Sequence, residues 1–226
     1  MRPKAWLSWS SGKDSAWALH VIRQGRELDV VALLTTVNQT HQRVAMHAVR
    51  ESLLRAQATA AGLPLIAVPI PSPCPNQEYE RAMAAAMAQA LDQGVSRIIF
   101  GDLFLEDVRR YREEKLAKCG IAPVFPLWGA PTRQLAQEMI DGGLRAYITC
   151  VNPEKLDKSF VGCEWNAELL AKLPLSVDPC GEYGEFHSFA CAGPMFSGPI
   201  PVKRGEIVER DGFVFADLLE ADSNLG

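Results

Sequence analysis

The residues best suited to chemistry near the start of the chain form the stretch Ser10–Ser15, with the sequence Ser-Ser-Gly-Lys-Asp-Ser. An apolar run precedes this stretch and an amphipathic run follows it, which predicts a tight turn between a strand and a helix. In that geometry the unpaired backbone N–H groups at the start of the helix point towards an anion. Gly12 allows a close backbone approach, and Lys13 adds a positive charge. We therefore predict a phosphate-binding loop that binds a nucleotide through Ser10, Ser11, Gly12, Lys13, Asp14 and Ser15.

The same stretch can also be compared with a Walker-type loop, a simple helix cap and a PP-loop. A Walker-type loop needs Gly-x-x-x-x-Gly-Lys followed by Ser or Thr, whereas here Gly12-Lys13 is followed by Asp14 and the first Gly is missing. A simple helix cap without a ligand stays open, because Asp14 or Ser15 could close the first turn. The stretch resembles the PP-loop signature of ATP pyrophosphatases, Ser-Gly-Gly-x-Asp-Ser, with Ser11 in place of the first Gly. That resemblance implies binding of ATP and its cleavage to AMP and pyrophosphate.

A second candidate site lies at the end of a predicted strand, residues 95–100, which runs into Gly101 and Asp102. Ligands of open α/β sheets bind outside the carboxyl ends of the strands. Gly101 permits close approach there, and Asp102 offers a carboxylate oxygen of the kind that Mg²⁺ prefers. We predict that Asp102 binds phosphate-bound Mg²⁺ and acts in catalysis, with Asp14 as a second metal ligand.

Two neighbouring elements extend this predicted nucleotide site. Thr35 lies at the end of a second apolar strand, residues 29–36, and is expected to help hold the adenine or ribose. The helix predicted at residues 103–118 carries Arg109 and Arg112, either of which could reach a phosphate. The alternative for this helix is a solvated face, which mixed charge usually indicates.

A third candidate site is the acidic segment, residues 178–188, with the sequence Asp-Pro-Cys-Gly-Glu-Tyr-Gly-Glu-Phe-His-Ser. Its acids could hold a metal, accept hydrogen bonds from an amine or bind ammonium, and its histidine is the chain's best-placed group for proton transfer. The catalytic candidates are therefore Lys13, Asp102, Glu182, Glu185 and His187. The alternative is a Gly-rich hairpin with solvated acids.

Strand and helix patterns alternate up to residue 151, and this alternation predicts the elements that position these residues. Apolar runs typical of strands buried on both faces predict an α/β fold with a doubly wound, mostly parallel, Rossmann-like sheet of the PP-loop (HUP) type. Its last strand is predicted at residues 144–151. We expect residues 1–151 to form the ATP-binding domain and residues 152–226 a smaller α+β substrate-binding lobe, with a hairpin around Asp211-Gly212.

Two predictions concern the region between the third and fourth strands. Residues 69–75 contain four prolines and are predicted to form a stiff connector. The helix predicted at residues 77–93 carries Tyr79, Met83, Met87 and Leu91 on one face, and this stripe is expected to pack in the core.

Composition narrows the function classes. The 226 residues are 48% apolar and carry a formal net charge of −4, which argues against a nucleic-acid partner.

No run approaches the ~18 apolar residues that span a bilayer, and no signal peptide is recognisable, so we predict a cytoplasmic protein without a membrane partner. The six cysteines form no Cys-x-x-Cys, which argues against zinc; a cluster with His187 stays a weaker alternative. Homo-oligomerisation is left open.

The chain resembles the diphthine–ammonia ligase family of PP-loop proteins over roughly residues 5 to 200, on five stretches: residues 9–15, 46–50, 100–108, 147–151 and 178–188. The acidic segment is the most specific, and Phe186-His187 resembles the bacterial branch of that family. The resemblance implies ATP, Mg²⁺, adenylation of an acceptor carboxylate, and displacement of AMP by ammonia. It also implies that the Gly-Glu-x-Gly-Glu motif faces the acceptor, whose identity it leaves open. A PP-loop enzyme acting on tRNA or a small metabolite, and a non-catalytic nucleotide-binding protein, are the alternatives.

Overall fold

The computed structural model describes residues 2–38, 43–44, 49–71 and 73–221. The elements are, in chain order, β1 (Lys4–Ser8), α1 (Lys13–Gly25), β2 (Asp29–Asn38), β3 (Arg43–Val44), α2 (Glu51–Ala61), β4 (Leu65–Ile70), α3 (Asn76–Asp92), β5 (Val95–Ile99), α4 (Glu106–Ala117), β6 (Ala122–Val124), α5 (Thr132–Asp141), β7 (Arg145–Val151), β8 (Glu164–Trp165), α6 (Ala167–Lys172), β9 (Phe186–Ala192), β10 (Val202–Arg210) and β11 (Phe213–Glu220). In the part of the chain so described, none of the helices combines the length and apolarity needed to span a bilayer.

β1 lies at the centre of the first sheet, whose parallel strands run in the order β4-β2-β1-β5-β6. Its side chains alternate between two faces, as the two-residue period of a strand requires. Leu7 belongs to a buried cluster with residues of α1 and α2, and Trp6 to one with residues of α3 and α4. Helices therefore cover both faces, which confirms the predicted α/β, doubly wound fold.

The second sheet is antiparallel, and β7 is its central strand. β9 pairs along one edge of β7, while β8 and β11 pair along the other, and β10 completes the sheet beyond β11. The prediction that residues 144–151 close the parallel sheet is therefore wrong. β7 is covered on both faces, since the adjacent residues Ile148 and Thr149 are both fully buried, and its apolar pattern fits the centre of either kind of sheet.

The two sheets share one buried apolar cluster. Leu7 and Leu33 of the parallel sheet and Ile148 and Phe189 of the antiparallel sheet all belong to it. The change from one sheet to the other lies between β6 and β7. The division into two lobes after residue 151 stays a prediction, and the hairpin around Asp211-Gly212 is confirmed as the turn between β10 and β11.

Several element boundaries differ from the predicted ones. Pro69 and Ile70 belong to β4, so the connector prediction is wrong for these two residues; β4 lies at the sheet's edge, where a proline costs no ladder bond. The apolar periodicity of residues 46–61 predicts one helix; the observed helix α2 begins at Glu51, and residues 45–48 lie outside the described residues. The helix predicted from residue 103 is α4, which begins at Glu106.

Candidate functional site

The predicted phosphate loop connects β1 to α1. Ser11 has a φ of 69°, in the left-handed region that favours glycine, and this explains the glycine at that place in the signature it resembles. Ser10 Oγ accepts a hydrogen bond from the Gly12 N–H at 3.3 Å, and Ser15 Oγ donates to the Gly12 carbonyl at 3.0 Å. The carboxylate of Asp14 faces Lys13 Nζ. The helix starts without a side-chain cap, and the N–H of Lys13 in its first turn donates to Ser188 of the second sheet.

Gln57 of α2 holds this loop in place. It is fully buried, and its Oε1 accepts a hydrogen bond from Trp9 Nε1 at 2.9 Å. Its Nε2 donates to the carbonyl of Ser11 at 2.9 Å and to the carbonyl of Ala190 at 2.7 Å. The Ala190 N–H also donates to the Ser11 carbonyl at 2.9 Å. One amide side chain thus ties the loop to β9 of the antiparallel sheet.

Lys13 lies beneath the acidic segment with 1% of its surface exposed. Its Nζ donates to Asp14 at 2.8 Å and 3.0 Å and to the carbonyl of Cys180, and it lies 5.4 Å from the ring centre of Trp165 and 5.5 Å from that of Phe186. Burial is the largest single effect and opposes a charge here, but Asp14, Cys180 and Glu182 together outweigh it and raise the pKa of Lys13. The ammonium group is therefore a fixed positive charge.

Gly101 and Asp102 follow β5 and lie against the start of α1. A Cβ at position 101 would lie 2.8 Å from the carbonyl carbon of Asp14 and 2.9 Å from the backbone nitrogen of Ser15, so only glycine allows this approach. The carboxylate of Asp102 accepts two hydrogen bonds from Arg112, at 2.5 Å from Nε and 2.9 Å from Nη2. Asp102 is therefore brought to the loop, paired with a cation from α4.

The acids of the acidic segment have different partners. Asp178 Oδ2 accepts from the Glu182 N–H at 2.9 Å, and Glu185 Oε1 accepts from the Asp178 N–H at 3.0 Å. Asp178 and Glu185 are 8% and 3% exposed, so they hold the segment's own turns together. Glu182 Oε1 accepts from the Leu103 N–H at 2.9 Å and ties the segment to the end of β5. The alternative of a hairpin with solvated acids is therefore wrong.

The loop and the acidic segment face one cavity of about 280 Å³. Nine of the residues predicted to act in catalysis or in nucleotide and metal binding line it: Ser10, Gly12, Lys13, Asp14, Ser15, Gly101, Asp102, Glu182 and His187. Three stretches that are far apart in the chain therefore meet at one cavity.

Burial strongly shifts the pKa values of Glu182 and His187, which both line this cavity. Burial raises the pKa of Glu182 to about 7, although its hydrogen bond from Leu103 opposes the shift. Burial and the nearby Lys13 charge lower the pKa of His187 to about 4. At neutral pH Glu182 is therefore poised between its two forms, while His187 is a neutral imidazole.

A second cavity of about 380 Å³ adjoins the first and contains Thr35. The two cavities share Ser10, Phe100, Arg112 and His187 in their walls. Tyr79, Met83 and Met87 of α3 also line the second cavity. Met87 belongs to a buried core cluster and Met83 packs against it, as predicted, while Leu91 at the end of the stripe is 44% exposed, so the prediction is wrong for that residue.

The cavities do not include every predicted residue. Ser11 and Glu185 are absent from the walls of both, and within the described part of the chain each keeps one buried oxygen, Ser11 Oγ and Glu185 Oε2, without a hydrogen-bond partner. Sequence reasoning missed Gln57 and Ser188, whose Oγ accepts from the Lys13 N–H at 3.2 Å. No local signal marks either residue, because their partners lie far away in the chain.

Metal binding rests on few groups. Among residues 2–38, 49–71 and 73–221, no group of three or more His, Cys, Asp or Glu side chains is arranged to hold an ion. Asp14 and Asp102 line one cavity, and Mg²⁺ commonly uses one or two carboxylates together with substrate phosphates. The pair therefore fits Mg²⁺ only in company with a nucleotide. The cysteines are all unpaired, and burial raises the pKa of Cys150 to about 12.

Comparisons with known proteins agree with these landmarks. The family model of the diphthamide synthase N-terminal domain matches residues 3–122, and that of the diphthamide synthase C-terminal domain matches residues 131–218. Diphthine–ammonia ligase from Bos taurus is 27% identical over 233 residues, which cover 92% of this chain and 86% of that protein. The proteins of the same name from Mus musculus and Homo sapiens are 33% and 32% identical over 122 residues, which cover 50% of this chain and 45% of each relative.

Proposed function

This chain belongs to the diphthamide synthase family, and on that premise we propose that it is an ATP-dependent ligase that adenylates a carboxylate and converts it to an amide with ammonia. The reaction converts ATP to AMP and pyrophosphate. The observation that carries the proposal is the single cavity shared by the phosphate loop and the acidic segment, where Lys13 Nζ donates to the Cys180 carbonyl.

In the first step an oxygen of the acceptor carboxylate attacks the α-phosphorus of ATP, and the bond to pyrophosphate breaks. Negative charge grows on the phosphate oxygens, so fixed donors that are already oriented favour the transition state. The first turn of α1 and the ammonium group of Lys13 supply such donors at the cavity wall. Mg²⁺, held by Asp14 and Asp102, would neutralise phosphate charge when bound.

In the second step ammonia attacks the acyl carbon, and the bond between that carbon and the AMP oxygen breaks. Ammonium must lose a proton before it can attack, and the tetrahedral adduct must lose another. Glu182 is the group suited to accept the first proton, because its pKa of about 7 matches neutral pH and it lines the cavity. His187, with a pKa of about 4, acts here as a neutral hydrogen-bonding group.

The second cavity suits the adenosine part of ATP. Thr35 and the apolar side chains of Leu34, Met83 and Met87 line it. At Ser10 it adjoins the cavity of about 280 Å³ that the phosphate loop faces, which we call the phosphate cavity. An apolar wall with a few polar groups is typical of a site for a flat heterocycle. The acceptor would then approach from the side of Glu182.

The test is an assay of AMP and pyrophosphate release from ATP, with ammonium and a panel of carboxylates. We expect equal amounts of both products, formed only when a carboxylate is present, and an amide only when ammonium is added. Release stimulated by RNA instead would favour the tRNA-directed alternative. ATP binding without release under any condition would leave a nucleotide-binding protein and overturn the proposed ligase.

A further inference from the structure

Two arginines on α4 lie three residues apart and point to different places. The guanidinium of Arg109 lies 4.7 Å from the ring centre of Trp128 and 5.1 Å from that of Phe125, and its Nε donates to Glu113 at 2.8 Å. Arg109 lines neither the phosphate cavity nor the cavity with Thr35. Its side chain therefore packs on an aromatic surface beside the site.

Arg112 occupies the junction between the cavities. Its guanidinium lies 4.2 Å from the ring centre of Phe100, and it makes the two hydrogen bonds to Asp102 described above. The ring of Phe100 lies next to the guanidinium and Asp102 binds one of its edges, so these two contacts fix its orientation. This pair uses two of the five N–H donors of a guanidinium, so the arrangement orients the group without exhausting its donors.

The charges around the phosphate cavity point to the same residue. Among the described residues that line this cavity, Lys13 and Arg112 are the cations, since His187 is neutral there. The Lys13 side chain is 2% exposed and is enclosed by Asp14 and Cys180, whereas 28% of the Arg112 side chain is exposed. Arg112 is therefore the more accessible of the two cations.

We propose that Arg112 binds an oxyanion of the substrates in this cavity, either a phosphate group of the nucleotide or the carboxylate of the acceptor. The inference rests on the proposed function for the identity of those substrates. A planar guanidinium held at one edge by a carboxylate presents its remaining donors in a fixed direction, which suits a phosphate or carboxylate better than a mobile ammonium would.

The test compares Arg112→Gln with Arg109→Gln, two equal charge changes one helical turn apart. ATP affinity is measured by calorimetry, which needs no turnover, and the KM of the carboxylate is measured by pyrophosphate release. We expect Arg112→Gln either to lower the ATP affinity or to raise the KM of the carboxylate about 10- to 100-fold, as the loss of a charged hydrogen bond does. Arg109→Gln should leave both quantities within about twofold of the unaltered protein. The affected quantity distinguishes phosphate from carboxylate as the ligand.

Two further variants separate binding from folding. Asp102→Asn/Arg112→Gln removes the unpaired carboxylate that the single change leaves, and we expect it to restore the melting temperature of Arg112→Gln. Since Asp102 is also a proposed Mg²⁺ ligand, the affinity of the double variant is compared with that of Asp102→Asn alone, and we expect the double variant to bind more weakly. Arg112→Lys keeps the charge and should recover only part of the affinity, because a lysine cannot bind in a bidentate manner.

The outcomes separate this inference from the proposed function. Normal ATP affinity and normal carboxylate KM in Arg112→Gln would overturn the role of Arg112 alone. Equal losses in the Arg109→Gln variant would overturn it too, because they would indicate a general effect of charge. If the unaltered protein binds ATP but forms no AMP, the ligase proposal fails, while a loss of ATP affinity in Arg112→Gln still supports the oxyanion site.

Discussion

The phosphate loop and the acidic segment are both short, polar and rich in small residues, yet their charged side chains have opposite roles. In the loop, Lys13 and Asp14 pair with each other at the wall of the cavity. In the acidic segment, Asp178 and Glu185 turn inward to backbone N–H groups, and only Glu182 lines the cavity. Each of these three carboxylates accepts a hydrogen bond from a backbone N–H, but only that of Glu182 also borders the cavity, and this position separates a chemical role from an architectural one.

The largest expected effect concerns the loop's fixed charge. Lys13→Met should lower the rate of AMP formation about 1,000-fold. This is the upper end of the range for the loss of one oriented hydrogen-bond donor, and we expect it because the ammonium group is held rigidly. Pyrophosphate release at saturating ATP measures the loss. Lys13→Met/Asp14→Asn is the matched control, since it removes the buried unpaired carboxylate and should regain stability without regaining activity. Turnover close to normal in either variant would remove Lys13 from the mechanism.

The next effect tests what holds the loop against the second sheet. Gln57→Leu leaves the buried polar groups of Trp9, Ser11 and Ala190 without that partner, so the free energy of unfolding should fall by about 3 kcal/mol. Denaturant unfolding measures this change. Gln134→Leu, at an exposed position of α5, is the control and should change stability by less than about 0.5 kcal/mol. A Gln57→Leu variant as stable as this control would show that the loop is held in another way.

A third comparison separates the two glutamates of the acidic segment. Glu182→Gln should lower amide formation about 100-fold and abolish its rise with pH through about 7, because the ionised carboxylate is the proton acceptor. Glu185→Gln should keep that pH profile and lose only stability, since a buried amide N–H₂ replaces an oxygen. The rate of amide formation against pH distinguishes them. An unchanged profile in Glu182→Gln would refute its role as base.

Stability gives a second check on Glu182. Its pKa is raised in the folded state, so the native protein holds its proton more firmly than the unfolded chain does. The resulting contribution is complete below the ordinary glutamate pKa and is lost as pH rises through about 7. Glu182→Gln should remove this decline, measured as the unfolding free energy between those pH values.

The smallest effect concerns the backbone of the loop. Ser11→Gly relieves a left-handed residue but increases the entropy of the unfolded chain, so the net gain in stability should be about 0.5 kcal/mol. Arg26, with a φ of 54° at the exposed end of α1, provides the matched change Arg26→Gly. Both should stabilise, and ATP affinity should stay normal in both. A loss of ATP affinity in Ser11→Gly would give its hydroxyl a direct role that the cavity walls do not indicate.

Prediction from the sequence succeeded where structure is local. The strand, turn and helix around residues 10–15 follow from periodicity and small residues, and so do Gly101 at a strand end and the hairpin at Asp211-Gly212. It failed for β7, because an apolar run has the same pattern in a parallel sheet and at the centre of an antiparallel one. The assignment of Glu185 to the acceptor stays a prediction; its side chain is buried outside the walls of both cavities, and no local pattern shows which way a carboxylate points.

The sequence by itself determined the α/β fold, the tight turn between β1 and α1 and the set of polar residues available for chemistry, because periodicity and turn residues act over a few neighbouring positions. Only the tertiary structure decided which of these residues share a cavity, that Gln57 fixes the loop to β9, and that Arg112 rather than Arg109 faces the site. The reason is that each of these outcomes depends on hydrogen bonds, ring contacts and burial that partners distant in the chain, such as Ala190 and Phe100, provide on folding.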